Sequence, residues 1–249
     1  MDIYLRGLVI LLFGIIAGYL INYLGDVLPA SRKLTNPICV KCGRNISLKE
    51  FIFNLRVYPE CGDSRPIRSI VVLVASIGVA FWLGFEAPAS ISPWVGFILL
   101  VYFGVVTLID IEHKLIMHPV SIFGMVLGLI IGWSRHGLLA TLLGGLAGFA
   151  LMFGLYLLGE LFARWLRVRR GLDPEEVALG FGDVNLAAVI GLLLGWPGVI
   201  AGIILAILLG GAGSLIYMLW TWVRKDYHSL AAIPYGPFLI LAAILLLFR

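Results

Sequence analysis

The sequence predicts an all-α membrane protein with about eight transmembrane helices and a small cytoplasmic loop domain between the first two of them. Of the 249 residues, 61% are hydrophobic and only 13% are charged, whereas soluble proteins average about 25% charged residues. The apolar residues fall in blocks that approach the roughly 20 residues needed to cross a bilayer as a helix. They lack the alternation of apolar and polar residues that a membrane β-barrel requires. The composition therefore excludes a disordered chain, an ordinary nucleic-acid-binding domain and a soluble globular enzyme.

Eight apolar segments account for the predicted helices. The first is too long for a signal peptide and is not followed by a small-residue cleavage site, so we expect it to remain as a helix. A tight turn at Gly195-Trp196-Pro197 separates the sixth segment from the seventh. The segments span residues 4–24, 68–86, 93–110, 116–134, 138–162, 183–196, 198–223 and 231–248.

The distribution of lysine and arginine predicts the orientation of these helices. Alternate connections, with Arg68 at the border of the first, carry 15 of the 18 basic residues. Since cytoplasmic connections are rich in Lys and Arg, this set is predicted to face the cytoplasm and both chain termini to face outside. In a membrane protein the net charge of +4 says little about nucleic acid, so we expect the lipid bilayer, and no nucleic acid, as a partner. The basic connections are 25–67, 111–115, 163–182 and 224–230.

The connection at 25–67 is the one sizeable piece predicted to lie outside the membrane. It follows a first transmembrane helix at 1–24 and precedes a seven-helix membrane domain at 68–249. A piece of this size cannot build a large hydrophobic core alone. A bound metal, or packing against the membrane domain, would be needed to order it.

Three cysteines lie in this loop, in the sequence Cys39-Val40-Lys41-Cys42 and at Cys61. Two CxxC pairs at comparable spacing bind zinc tetrahedrally, so we predict a zinc site with Cys39, Cys42 and Cys61 as ligands and an unknown fourth ligand. The alternative is a loop with ordinary reduced thiols. A stable disulfide is disfavoured in the cytoplasm, and a redox CxxC lacks the surrounding alternation of strands and helices. A zinc protease is disfavoured because the sequence has no HExxH motif.

Two acidic residues lie where, by the predicted topology, a negative charge near hydrocarbon costs free energy. Asp110 ends the apolar run of the third segment, and Asp183 opens the sixth. Both are predicted at the cytoplasmic face and at similar depth, where a carboxylate near hydrocarbon is usually functional. The competing interpretation for Asp183 is structural, because acidic residues cap helix N-termini. It does not fit Asp110, which the helix dipole opposes at a C-terminus.

Two carboxyl groups that meet across a helix interface have a defined chemistry. Close together they share one proton, so that one acts as a base and the other as an acid. The base takes a proton from water while the acid polarises a peptide carbonyl, which suffices for amide hydrolysis with no cofactor. Gly180 and Gly182 lack side chains, so we predict that a substrate backbone approaches Asp183 closely beside them.

Two other functions are compatible with the same residues. A proton-coupled transporter would use Asp110 and Asp183 as a proton relay, but it predicts acids near the bilayer midplane and inverted repeats, and the sequence shows neither. A membrane assembly scaffold, with the CxxC loop as a docking module, predicts that the two aspartates are dispensable and far apart.

Four motifs resemble those of one known family. Gly180-Phe181-Gly182-Asp183 matches the GxGD signature of intramembrane aspartic proteases, and the sequence at 184–191 resembles its continuation in bacterial type IV prepilin peptidases, also called prepilin leader peptidases. The sequence at 233–238 is similar to that family's C-terminal motif, and Gly18 to Asn22 with Leu28-Pro29 resembles its first-helix motif. The resemblance covers nearly the whole chain, in order.

The resemblance implies that Asp110 and Asp183 are the catalytic pair of an aspartic endopeptidase in the bacterial inner membrane. Its substrates would be prepilins of type IV pili or pseudopilins of type II secretion, cut on the cytoplasmic side between a basic leader and a hydrophobic helix. Many members also methylate the new N-terminus with S-adenosylmethionine, which is implied here as a second activity. This chain departs from the family at Tyr58, where a second cysteine pair would begin, and at Asn185, where lysine is frequent.

Overall fold

The structure is a computed structural model that describes residues 3–37, 46–53, 67–86, 91–170, 180–224 and 234–248. Within these ranges all regular secondary structure is helical, which confirms the predicted all-α class. Contacts within the chain define two units, Met1–Ile109 and Asp110–Arg249. The helices are α1 (Ile3–Ser31), α2 (Leu48–Phe53), α3 (Arg68–Phe85), α4 (Pro93–His113), α5 (His118–Arg170), α6 (Phe181–Leu194), α7 (Gly198–Val223) and α8 (Gly236–Leu247).

In the first unit, α1 and α3 pack as an antiparallel pair along a line of small residues. A Cβ atom added to Gly14 would lie 2.8 Å from the Ile77 Cα, and one added to Gly18 would lie 2.9 Å from the Leu73 Cα. Backbones this close exclude any larger side chain, as is common where helices pack in lipid. Nearer the end of α1, the Asn22 side chain donates a hydrogen bond to a carbonyl oxygen of α3 at 3.1 Å. An apolar environment favours this polar link between the helices.

Helix α1 continues beyond the predicted boundary at residue 24 and ends at Ser31. The added turns are held by contacts within the first unit: Gly25 packs against Leu108 of α4, and Asp26 forms an ion pair with Arg68 at the start of α3. Val27 is buried. The end of the apolar run therefore underestimates the length of α1, because tertiary contacts extend the helix past the hydrophobic stretch.

The described part of the predicted 25–67 loop domain contains one short helix, α2. Ser47 and Glu50 form a reciprocal capping box at its start, with both backbone-to-side-chain hydrogen bonds at 3.2 Å. Such a box satisfies two amide groups that would otherwise lack partners. Phe51 of α2 is buried and packs edge-on against Tyr23 of α1, with ring centroids 6.1 Å apart. The loop is thus attached to the first helix by an aromatic contact.

In the second unit, α6 is the central helix. Ten of its 14 residues are buried. From the sequence alone, this apolar helix would be taken as one more membrane span, with nothing to show that other helices enclose it. A helix that is hydrophobic all round belongs in the interior of a bundle. Helices α5, α7 and α8 all contact it.

Helix α5 is divided in two at Gly137. This glycine has φ of 81° and ψ of 162°, a conformation that residues with a Cβ rarely adopt. The break agrees with the predicted connection between residues 134 and 138. On the far side of the break, the carbonyl oxygen of Ala140 accepts a hydrogen bond from the amide of Trp196 at 2.9 Å, which ties this turn to the end of α6.

The two halves of α5 run beside α6 in opposite directions. The first half, with the residues just before it, runs parallel to α6, and the second half runs antiparallel. Together they form a helical hairpin that holds α6 on two sides. The contacts that fix these directions are Ile116 with Gly182 and Gly128 with Leu192 for the first half, and Gly144 with Gly195 and Phe153 with Phe181 for the second.

The described helices support a multi-pass membrane protein, while the predicted number of eight spans is not confirmed. Five stretches are long and apolar enough to cross a bilayer: α1, α3, α4, α7 and residues His118–Trp165 of α5. Helices α6 and α8 are apolar but shorter. Helix α7 has the predicted bounds, whereas α8 begins at Gly236 and not at 231.

We expect Gly14→Leu to destabilise the first unit, because its Cβ would meet the α3 backbone at Ile77. Overpacking of this kind typically costs about 1–3 kcal/mol, so the thermal unfolding midpoint of the purified protein in detergent should fall. Gly7→Leu on the same helix is the matched control, since no atom lies within 4 Å of an added Cβ there. Equal midpoints for the two variants would contradict the close contact between α1 and α3.

Candidate active site

Three helix ends and one connection meet at one end of the second unit. Asp110 lies in the last turn of α4, Asp183 in the first turn of α6, and Gly236 is the first residue of α8. The connection after α4 also reaches this point. A Cβ added to Gly182 of α6 would lie 2.7 Å from the Cβ of Ile116, which belongs to that connection. The three segments that carry these residues are far apart in sequence, and only the fold brings them together.

Asp110 is buried, at 5% exposure, and is held by the start of α8. Its Oδ2 accepts a hydrogen bond from the backbone N–H of Gly236 at 3.0 Å. A Cβ added to Gly236 would lie 2.5 Å from the same oxygen, so residue 236 has no room for a side chain. The carboxyl group that the dipole of its own helix disfavours thus faces the N-terminus of another helix, where a negative charge is stabilised.

Asp183 is buried, at 8% exposure, and its two oxygens differ in their surroundings. Oδ2 accepts a hydrogen bond from the backbone N–H of Gly180 at 3.2 Å, as a capping residue would. Oδ1 is buried and has no hydrogen-bond partner among the described residues. Helix capping therefore explains the position of the Asp183 Oδ2, but it does not explain why Oδ1 is buried without a partner among the described residues.

The two carboxyl groups lie close enough to interact electrostatically, and Tyr235 lies within electrostatic range of Asp183. The scaffold alternative predicted aspartates that are far apart, and this geometry does not favour it. Two neighbouring buried carboxyl groups are most stable when they share one proton. Such a pair supplies a base and an acid at the same place, as amide hydrolysis requires.

The two glycines of the GxGD sequence have different surroundings. Beside Gly182 the space is already filled by Ile116 of the same chain. Beside Gly180, an added Cβ would have the Asp183 Oδ2 as its nearest neighbour at 3.6 Å, which is ordinary van der Waals contact. The predicted approach of a substrate backbone remains a prediction for both positions. For Gly182, packing against Ile116 is a sufficient reason for glycine.

Phe181, between these glycines, is held by three aromatic rings. Its ring meets those of Phe149, Phe153 and Tyr156 edge-on, with centroids 6.1–6.5 Å apart. Edge-to-face pairs at this separation are attractive. The three rings lie on successive turns of α5, so this cluster fixes the start of α6, and with it Asp183, against α5.

The predicted zinc ligands Cys39, Cys42 and Cys61 lie outside the described residues, so the zinc site remains a prediction. Within the ranges that the structure describes, no group of three or more His, Cys, Asp or Glu side chains is arranged to hold a metal ion.

The sequence does not single out Tyr235 or Gly236 as site residues. Both lie in the segment 233–238, which resembles the family's C-terminal motif. The available signal was a glycine followed by proline at the start of an apolar segment, because proline is favoured in the first turn of a helix. That pattern predicts a helix start, but it does not predict which side chain the first amide will bind.

The sequence model of the type IV leader peptidase family matches residues 94–215, a range that contains both aspartates. The chain is also similar to proteins named prepilin leader peptidase/N-methyltransferase. The one from Pseudomonas aeruginosa is 28% identical over 221 residues, which cover 84% of this chain and 70% of that protein. The one from Pectobacterium carotovorum subsp. carotovorum is 25% identical over 183 residues, covering 72% and 58%.

A third protein of the same name, from Aeromonas salmonicida, is 26% identical over 140 residues, which cover 55% of this chain and 42% of that protein. No solved structure matches this chain. The matched proteins are named as peptidases, so the comparisons do not support the transporter alternative.

We expect Gly182→Ala to lower the thermal unfolding midpoint, because its methyl group would press on Ile116. Overpacking of a tight site costs about 1–3 kcal/mol. Gly180→Ala is the matched control, two residues away in the same signature, and should leave the midpoint unchanged because its added Cβ makes only ordinary contacts. If Gly182→Ala were as stable as wild type, packing would not explain this glycine.

Proposed function

We propose that this chain is a member of the type IV prepilin peptidase family and a membrane aspartic endopeptidase with Asp110 and Asp183 as its catalytic residues. Its substrates are type IV prepilins or related pseudopilins, and it removes their basic leader peptide at the cytoplasmic face of the membrane. The observation that carries the proposal is the pair of buried carboxyl groups at one end of the second unit, each held by a backbone amide.

The reaction needs only the two carboxyl groups and water. The ionised aspartate takes a proton from water, and the resulting hydroxide attacks the carbonyl carbon of the scissile peptide. The protonated aspartate gives its proton to the carbonyl oxygen, which produces a tetrahedral diol. The C–N bond then breaks as the first aspartate protonates the leaving nitrogen, and one hydroxyl returns its proton to the second aspartate. The pair titrates as a unit, so neither residue is assigned as the base.

The backbone amides have a specific use in this scheme. Each fixes one oxygen, Oδ2, of its aspartate, so the carboxyl groups are positioned before substrate binds. Amides of the backbone cannot rotate away or change their charge during the reaction. Pre-positioned groups of this kind avoid reorganisation in the transition state.

The charge pattern supports the proposed orientation. Asp110, Asp183 and Gly236 lie near the connections at 111–115, 163–182 and 224–230, which carry seven of the nine basic residues of the second unit. By the positive-inside rule this end of the unit faces the cytoplasm. We therefore place the chain in the bacterial inner membrane with eight spans and both termini outside, counting the two halves of α5 separately.

We also propose two features that the described residues do not test. The names of the relatives include N-methyltransferase, so the new N-terminus of the substrate would be methylated with S-adenosylmethionine as the methyl donor. The cysteines of the 25–67 loop would bind zinc as a structural ion. Mass spectrometry of the reacted substrate, with and without S-adenosylmethionine, separates loss of the leader from gain of a methyl group.

Asp110→Asn and Asp183→Asn should each abolish cleavage, because an amide can neither accept the proton of water nor supply one. The measurement is the mass shift of a purified pilin precursor incubated with the purified protein in detergent or lipid vesicles. Each variant should retain the thermal unfolding midpoint of a folded protein. Glu86→Gln, the same type of change at an exposed position, should cleave at the wild-type rate. Robust cleavage by the double Asn variant would overturn the mechanism.

Gly236→Ala should reduce cleavage by at least about tenfold, since displacement of a catalytic group by about 1 Å can cost about a hundredfold. The added Cβ would press directly on the Asp110 Oδ2. Gly211→Ala is the matched control within the same unit, because no atom lies within 4 Å of an added Cβ at Gly211. Wild-type kcat/KM for Gly236→Ala would show that Asp110 does not depend on the α8 amide.

A further inference from the structure

The hydroxyl group of Tyr235 is a buried polar atom at the site that the mechanism above does not use. It is inaccessible to solvent and has no hydrogen-bond partner among the described residues. Burial of a hydroxyl without a partner costs free energy, and a buried group left in this state calls for an explanation, of which a catalytic role is one. Phenylalanine would fill the same space without that cost.

The position of the Tyr235 ring is fixed by its neighbours. A Cβ added to Gly210 of α7 would lie 2.9 Å from the Tyr235 Cε2, so the ring lies flush against the α7 backbone. Phe238, one turn further along, packs beside it with ring centroids 6.5 Å apart. The next residue in the chain is Gly236, whose amide holds Asp110. The hydroxyl is therefore placed by the same short segment that places one catalytic carboxyl group.

Two residues of the site carry a buried polar atom without a partner among the described residues: Tyr235, at its hydroxyl, and Asp183, at Oδ1. Tyr235 lies within electrostatic range of Asp183, and the Asp183 Oδ1 is buried with no partner among the described residues. A hydrogen bond between them would satisfy both groups, and the structure has none. Each remains available to a third molecule, and the proposed function places the scissile peptide and its attacking water between them.

We propose that Tyr235 is a third catalytic residue, whose hydroxyl donates a hydrogen bond to the carbonyl oxygen of the scissile peptide. This inference rests on the proposed function. A carbonyl oxygen has two lone pairs; one faces the protonated aspartate and the other accepts from Tyr235. The phenol keeps its proton throughout and forms no covalent bond. Its contribution grows as negative charge develops on the oxygen, which is the condition for a donor to accelerate the chemical step.

Tyr235→Phe is the direct test, because it removes one oxygen atom and preserves the ring that packs on Gly210. Removal of a single oxyanion donor in other hydrolases lowers kcat by about 100- to 1000-fold. Here the aspartate shares the task, so we expect kcat for a purified pilin precursor to fall about 10- to 100-fold, with KM unchanged. The thermal unfolding midpoint should not fall. Tyr217→Phe on α7, which also removes a tyrosine hydroxyl, should retain wild-type kcat.

Inhibitor binding distinguishes a contact with the reacting oxygen from an effect on Asp183 alone. One probe is a leader peptide with a hydroxyethylene group in place of the scissile amide, and the other is the same peptide with a reduced amide that lacks this oxygen. Tyr235→Phe should weaken binding of the first by a factor similar to the loss in kcat and leave the second unchanged. Equal losses for both probes would overturn the assignment.

The outcomes separate this inference from the proposed function. If the wild-type protein cleaves the precursor and Tyr235→Phe cleaves it at the same kcat, Tyr235 is not catalytic while the aspartic mechanism stands. If the wild-type protein does not cleave any pilin precursor, the proposed function fails and the role of Tyr235 fails with it. A selective loss of kcat together with weaker binding of the hydroxyethylene probe supports the proposal.

Discussion

The backbone N–H of Gly236 donates a hydrogen bond to the Asp110 carboxyl group across a separation of 126 residues, and the candidate site depends on it. This bond holds the Asp110 carboxyl group at the start of α8, although the dipole of its own helix disfavours a negative charge at the end of α4. It also requires glycine at 236, since a side chain would occupy the position of the carboxyl oxygen. The same segment carries Tyr235, so one helix start positions two residues of the site.

Asp183 depends on a different constraint, the close packing of α6 against the hairpin formed by α5. Gly144 and Gly191 let the two backbones approach so closely that a Cβ added to Gly191 would lie 2.8 Å from the Gly144 carbonyl carbon. At the other end of α6, the rings around Phe181 hold its first turn. A buried helix held at both ends gives Asp183 a fixed position without a side-chain partner. This is consistent with a catalytic group that must keep one oxygen free.

The apolar pattern predicted the helices well where lipid is the main neighbour and less well where protein is. Helix α7, whose outer face is exposed, has the predicted bounds, because the length of its apolar run decides where it begins and ends. Helix α1 is longer than predicted because contacts at Gly25 and Asp26 extend it. Helix α8 is shorter than predicted, because Pro237 fixes its first turn at Gly236.

The sequence by itself determined the membrane class, the all-α fold, the choice of Asp110 and Asp183 and their expected placement on one side of the membrane. These follow from hydrophobicity, charge and the cost of a carboxylate near hydrocarbon, all of which are properties of single residues or short segments. Only the tertiary structure decided that Gly236 binds Asp110, that Ile116 fills the space beside Gly182 and that the Tyr235 hydroxyl is buried without a partner among the described residues. Those facts depend on how distant helix ends meet, and hydrophobic periodicity contains no information about which ends meet or which atoms face each other there.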